Sequence, residues 1–168
     1  MQIRPMTSDD ADAVLSIYAE GIASHNATFE TDPGTWETWN ERFLADCRLV
    51  AVAGSKALGW AALSAISSRP VYRGVAEVSL YVASAARGQG IGKVLMAALI
   101  ESSEAAGFWT LQAHIFPENE ASLHLHAAHG FREVGRRECL GKMQIGPLKG
   151  KWRDGILVER RSMVVGAD

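Results

Sequence analysis

Apolar and polar residues change rhythm along the chain, and each rhythm marks an element. Val14, Ile17, Tyr18, Gly21 and Ile22 recur at helical spacing. Thr7 and Asp10 precede them as an N-cap and an acidic first turn, so a helix is expected behind a short strand over residues 2–6. Trp36, Trp39 and Phe43 keep the same period after the Asp32-Pro33-Gly34 turn and predict a second, short amphipathic helix. Residues 49–53 and 58–66 are apolar runs joined through Gly54-Ser55-Lys56, the pattern of a β-hairpin. A further strand over 75–82 leads through Arg87-Gly88-Gln89-Gly90-Ile91-Gly92 into a helix whose apolar face is Ile91, Val94, Leu95, Ala98 and Leu99 and which ends near Gly107. Residues 109–115 then read as a strand, 119–129 as a helix stopped at Gly130, and the remainder as strands over about 131–140 and 156–165. Strands in a run, followed by alternation with helices, predict an α/β (α+β) fold: a mixed central sheet with helices on both faces.

No stretch is low in complexity, no period repeats and no linker interrupts the pattern, so residues 1–168 are expected to form one domain. Seventeen Lys and Arg stand against 19 Asp and Glu, a formal charge of −2, which gives an electrostatic case for nucleic acid nothing to stand on. The first six residues lack the apolar core of a signal peptide, and no apolar run approaches the ~18 residues of a membrane span. A cytoplasmic protein that binds neither nucleic acid nor membrane is the expectation. Cys47 and Cys139 show no Cys-x-x-Cys spacing and read as small core or near-surface residues.

The chemistry starts at the glycine turn. Gly88, Gly90 and Gly92 allow the backbone to approach a ligand closely, and free N–H groups at the start of the following helix make an anion site, so a phosphate is the natural guest. Two common phosphate fingerprints fail. Gly-x-Gly-x-x-Gly counted from Gly88 puts Lys93 where the third glycine belongs, and a P-loop would need glycine at Arg87 and Ser or Thr at Val94. What fits is Arg-x-x-Gly-x-Gly, carried by Arg87, Gly90 and Gly92. With Asn119 opening a later helix that ends at Gly130-Phe131, the chain resembles the GNAT superfamily of N-acetyltransferases. Further pieces narrow the resemblance to the phosphinothricin and methionine sulfoximine acetyltransferase subgroup. These are Ala27-Thr28-Phe29-Glu30-Thr31, Arg69-Pro70, Tyr72-Arg73, Glu77-Val78-Ser79-Leu80-Tyr81-Val82, His126 and Trp152-Arg153-Asp154.

The resemblance implies the GNAT acyl-CoA N-acyltransferase fold and acetyl-CoA as cosubstrate. Its implied contacts run along Leu80, Tyr81 and Val82, then Arg87, Gly88, Gln89, Gly90, Ile91, Gly92 and Lys93, with Asn119 and Ser122 opposite. It makes Glu77 the general base, acting directly or through water. In such folds the strand carrying this acid splays from its neighbour near Leu80–Val82, and the Val82 N–H becomes the donor facing the thioester oxygen. His126 stands where relatives often have Tyr, as an acid for the leaving thiolate or as a residue that only orients the sulfur. Arg69, Tyr72 and Arg73 would meet the acidic end of a glutamate-like amine, and Phe29 and Glu30 would close the pocket. Trp152 and Asp154 read equally as strand-start packing and a turn cap. Lys149 departs from the subgroup, which more often has an aromatic residue there.

Among apolar strand neighbours, the Glu77 carboxyl is expected to titrate above its ordinary value of ~4.3. His124, His126 and His129 lack the His-x-x-x-His face of a zinc helix, so no metal is expected. The implied activity is direct acetyl transfer to the α-amine of a compound of the phosphinothricin or methionine sulfoximine class, in a homodimer. The alternatives are another amine, such as a different amino acid, an arsenic-containing analogue, a polyamine or a protein N-terminus, or a non-catalytic acyl-CoA sensor.

Overall fold

The computed structural model describes residues 1–167. Seven strands form one sheet in the order β1-β2-β3-β4-β5-β7-β6. They are β1 (Gln2–Pro5), β2 (Leu49–Ala53), β3 (Lys56–Ala65), β4 (Val75–Val82), β5 (Thr110–Ile115), β6 (Arg132–Lys142) and β7 (Trp152–Arg161). Neighbours are antiparallel except β4 and β5, so the sheet is mixed, as the sequence implies. The helices are α1 (Ala11–Ala23), α2 (Trp36–Arg42), α3 (Ile91–Ala105) and α4 (Glu120–Ala127).

Trp60 of β3 is fully buried at the centre of one face, where α1 and α2 bring the rings of Tyr18, Trp39 and Phe43 to 5.8, 5.4 and 5.6 Å from it. Tyr81 of β4, directly opposite in register, stacks at 4.9 Å. Four neighbouring rings around one indole bury a large apolar area in few residues. α1 packs so closely that a methyl at Gly21 would stand 2.5 Å from the Tyr81 ring. The opposite face carries α3, whose Leu95 lies 3.1 Å from where a side chain would begin at Gly59. α4 joins it there, with Leu125 against Gly92.

Three expectations shift. The buried row of α3 is Ile91, Leu95 and Leu99 flanked by Met96, and Val94, expected inside, is 43% exposed because the helix presents its other flank to the sheet. The β2–β3 turn is the two-residue Gly54-Ser55, so β3 begins at Lys56. The last strand spans 152–161 instead of 156–165. The Arg161 guanidinium donates to the carbonyls of Trp109, Ser162, Val165 and Gly166, and turns the chain off the sheet, leaving Met163 and Val164 exposed. At the other end Asp10, 7% exposed, accepts from the Thr7 N–H at 2.9 Å and from both Arg4 Nη atoms at 2.8 and 2.7 Å. Thr7 and Asp10 thus cap a 3-10 turn that feeds α1.

Candidate active site

The sheet divides at the only parallel pairing among the described residues. β4 and β5 are joined only at Val75–Thr110, Ala76–Leu111 and Glu77–Gln112. Beyond Glu77, β4 stays on β3 as far as Val82 and β5 stays on β7 as far as Ile115, so the strands part from Val78 onward, earlier than the expected Leu80. Backbone direction alternates along a strand, and the Ala83 N–H points at β3, where it donates to Leu58. The N–H groups of Val78, Leu80 and Val82 therefore face the gap.

One cleft occupies this gap. Its inner part, about 370 Å³, lies around Phe29, Glu30, Arg42, Glu77, His114, His126 and Arg137. Its outer part, about 680 Å³, runs along Leu80–Val82 to Arg87, Gly88, Gly90, Ile91, Gly92 and Lys93. The two meet at Leu80, Tyr81, Asn119, Ser122 and Leu125, which line both. Gln89 is outside the lining and donates to the Ala85 carbonyl at 3.2 Å.

Gly88 and Gly90 hold φ of 75° and 79°, backbone that a side chain resists, and nothing lies within 4 Å of where a Cβ would stand on either. The first donors of α3 are Lys93 and Val94, both to the Gly90 carbonyl. Ile91 and Gly92 keep their N–H groups outside that ladder, at the positive end of a fifteen-residue helix. The outer cleft thus ends in an anion cradle. Asn119 caps α4 by accepting from the Ser122 N–H at 3.2 Å, and its amide donates to the Asn26 carbonyl at 2.9 Å.

Glu77 stands in the inner cleft. Its Oε2 accepts from Gln112 Nε2 at 3.1 Å and lies 3.4 Å from His114 Nδ1, whose ring reaches Arg137 Nη1 with Nε2 at 3.2 Å. Burial alone would raise the carboxyl pKa, as the sequence suggests, but hydrogen bonding to His114 and Gln112, together with nearby positive charge that includes Arg42, outweighs it, and the carboxyl titrates below its ordinary value. The expected upward shift is therefore corrected. Gln112 and His114 escaped the sequence reading. The signal was the alternation Thr110, Gln112, His114 against buried Leu111, Ala113 and Ile115.

His126 is 4% exposed, edge-on to Phe131 at 4.8 Å, with Nδ1 2.8 Å from the Ser122 carbonyl. A carbonyl only accepts, so Nδ1 carries the proton and Nε2, buried and without a partner among the described residues, is a bare acceptor. Burial also pushes the ring's pKa down, which keeps it neutral. A neutral ring in this tautomer has no proton to give at Nε2.

Phe29 reaches the inner cleft, edge-on to Phe116 at 4.8 Å and against Gly141, where a methyl would come within 2.7 Å of its ring. Glu30 pairs with Arg42 at 2.8 Å beside it. Arg69, Tyr72 and Arg73 do not line the cleft of their own chain. Their loop turns outward through a 3-10 turn at Pro70–Tyr72, with Arg69 over the Tyr72 ring at 5.4 Å and Arg73 over Trp109 at 5.5 Å. The cations on the cleft wall are Arg42 and Arg137 in the inner part and Arg87 and Lys93 in the outer. Asp154 holds the β6 bulge through the Cys139 N–H at 2.8 Å and a pair with Arg136, while Trp152 is 59% exposed under Lys142. Between them Arg153, only 6% exposed, ties the Phe29 loop down by donating to the His25 carbonyl, Asn26 Oδ1 and Glu118. Among the described residues no group of three or more His, Cys, Asp or Glu is placed to hold a metal, and no helix is long and apolar enough to cross a membrane.

Comparison with known proteins agrees with this architecture. A phosphinothricin N-acetyltransferase of Streptomyces coelicolor is 33% identical, over 84% of this chain and 88% of its own. An L-methionine sulfoximine/L-methionine sulfone acetyltransferase of Pseudomonas paraeruginosa is 33% identical over 90% and 89%. The crystal structure of a GNAT superfamily phosphinothricin acetyltransferase from Sinorhizobium meliloti, in complex with AcCoA, superposes with a TM-score of 0.87 at 29% identity, covering 99% of this chain and 91% of that one. Residues 13–131, from α1 through the divided strands to the end of α4, match the acetyltransferase (GNAT) family model, and the chain is a member of that family of acetyltransferases.

Proposed function

We propose that the chain transfers acetyl from acetyl-CoA directly to the α-amine of a small glutamate-like amino acid, of the phosphinothricin or methionine sulfoximine class. The observation that carries this reading is the placing of the Glu77 carboxylate in an inner cavity that opens, at Leu80, into the cleft leading to the glycine cradle. Pyrophosphate sits on the N–H groups at the start of α3, and pantetheine lies along β4 in the gap. The amine enters beside Glu77. A carboxylate held ionised attracts the ammonium form and takes one proton from it, which frees the nitrogen lone pair that attacks. The N–C bond forms, the C–S bond breaks with its electrons leaving on sulfur, the first proton passes from Glu77 to solvent, and the second, lost by nitrogen as the intermediate collapses, reaches the thiolate through water. Ordering both substrates in one cleft supplies much of the rate, and neither cysteine is needed as an intermediate.

Two expected roles change. The cavities meet at Leu80, two residues nearer Glu77 than Val82, so the Leu80 N–H is the donor to the thioester oxygen and the Val82 N–H holds pantetheine. His126 accepts a hydrogen bond rather than protonating the thiolate, whose pKa of ~8.5 lets it leave unaided. Arg69 and Arg73 reach substrate in the cleft of a neighbouring subunit. Ile66, Val71 and Tyr72, exposed on the same loop, support a homodimer in which that loop is covered.

The test is thiol release from acetyl-CoA with methionine sulfoximine, phosphinothricin, plain amino acids, a polyamine and an N-terminal peptide, on wild type and Glu77→Gln. Turnover on the first two, lost by ~10²-fold or more in the variant, is the expected result. Turnover on other amines only would sink the substrate class. Binding of acetyl-CoA with no amine acetylated would make the chain a sensor.

A further inference from the structure

Every side-chain donor that reaches the Glu77 carboxylate addresses Oε2. Oε1 is left for the amine. How firmly that orientation is held depends on His114, since an imidazole can present either a donor or an acceptor at Nδ1. Arg137 settles which. A guanidinium has no lone pair to offer, so where Arg137 Nη1 meets His114 Nε2 at 3.2 Å the ring must accept there. The neutral ring then carries its proton on Nδ1, facing Glu77 Oε2.

The fold brings these groups together from three strands. The Glu77–Gln112 register sets β5 beside the carboxylate, and the alternation along β5 puts His114 on the same face as Gln112. Arg137 comes from β6, on the far side of β7, opposite Gly155. Gly155 has no side chain; the place of its Cβ is taken by Leu140, 2.6 Å away, with the His114 ring at 3.9 Å. Arg137 is exposed and has no other hydrogen-bonding partner among the described residues, so its side chain can serve the imidazole.

We propose that His114, its tautomer fixed by Arg137, is a positioning residue that holds Glu77 by Oε2 and so presents Oε1 to the incoming amine. Arg137 acts only through His114. This rests on Glu77 being the base, and it adds two residues of the inner cleft that act through the carboxylate and not on the reacting atoms.

The experiment is steady-state turnover against pH, with acetyl-CoA and whichever amine turns over fastest, on His114→Ala, His114→Asn, Arg137→Leu and His114→Asn/Arg137→Leu, beside Glu77→Gln. His114→Ala should lower kcat roughly tenfold or more, as loss of a hydrogen bond to a charged group does, with KM for acetyl-CoA unchanged. Its acid limb of kcat/KM should move to higher pH, because the carboxylate has lost a donor. His114→Asn places an amide nitrogen where Nδ1 stood and should recover most of the loss. Arg137→Leu should slow the wild type but have no effect in the Asn background, since an amide needs no tautomer control. An unmoved acid limb in His114→Ala overturns the proposal. So does an Arg137→Leu loss of equal size in both backgrounds, which would make Arg137 a substrate-binding group. Retained activity in Glu77→Gln, or no amine turned over, would instead overturn the base reading and this inference with it.

Discussion

Replacing Gly90 by Ala separates two things the glycine turn does. Gly90 caps α3 at φ 79°, and a methyl there would touch nothing within 4 Å. The folded state therefore meets only left-handed backbone, which costs an L residue roughly 1–2 kcal/mol. Alanine also restricts the unfolded chain, an offset of roughly 0.4–1 kcal/mol. The net loss is about 1 kcal/mol, a fall in Tm of about 2–4 °C for a chain of this size. Gly54, in the β2–β3 turn at φ 59° with the same open surroundings, should lose as much on substitution by Ala. Binding should distinguish the two. The methyl on residue 90 enters the outer cleft where a phosphate must close on the Ile91 and Gly92 N–H groups, so titration calorimetry should show acetyl-CoA binding at least about tenfold weaker, or about 1.4 kcal/mol. Gly54→Ala should bind like wild type. Unchanged affinity in Gly90→Ala would reduce the glycine to a backbone requirement, and equal loss in both variants would trace the effect to global softening.

Three further outcomes are expected. Arg153→Met strips the donors from the His25 carbonyl and Asn26 Oδ1, and should cost about 2 kcal/mol in chemical unfolding while raising KM for the amine, because the Phe29 loop is loosened. Hydrogen bonding to Arg4 holds the Asp10 carboxyl below its ordinary range. The stabilisation is thus complete above the unfolded value of ~3.9 and is lost as pH falls through the lower folded value, so wild type should lose Tm more steeply than Asp10→Asn below pH ~4. His126→Asn can keep the contact to the Ser122 carbonyl while removing Nε2, and should lower kcat by less than about tenfold with the high-pH side of the kcat profile unchanged. Disappearance of a high-pH limb in that variant would restore the acid role.

What the sequence disclosed depended on how local each determinant was. Ile91, Leu95 and Leu99 of α3 and the glycine turn before them are written in short-range spacing, and they stand where spacing puts them, whereas Val94 turns outward. Glu77 was legible because its motif is continuous in the chain. Its environment was not. The direction of its pKa follows from Gln112 and His114, which reach it through a three-residue strand pairing whose end nothing in the sequence marks. Arg137 joins them from β6, across β7, where it stands opposite Gly155 in a register that no local spacing marks. Arg69 and Arg73 show the converse: the resemblance places them at the substrate, while the loop carries both away from the cleft of their own chain, a turn that no local spacing marks. The last strand slipped for a similar reason: Val164 and Val165 are apolar enough to extend it, but Arg161 gathers the following carbonyls and ends it first.

The parting of β4 from β5 gives the protein edges in the middle of its sheet. Besides the outer edges at β1 and β6, Val78–Val82 on one side and Ala113–Ile115 on the other present unpaired backbone to whatever enters between them. An exposed strand edge is a template for foreign chains, and a protein usually guards it with charge, twist or a bulge. These inner ones carry mostly apolar side chains and have no such guard. A bound pantetheine arm would cover them as an added strand does. Filling the gap would close both inner edges at once, so amide protons of Val78–Val82 should exchange more slowly with the cosubstrate than without it.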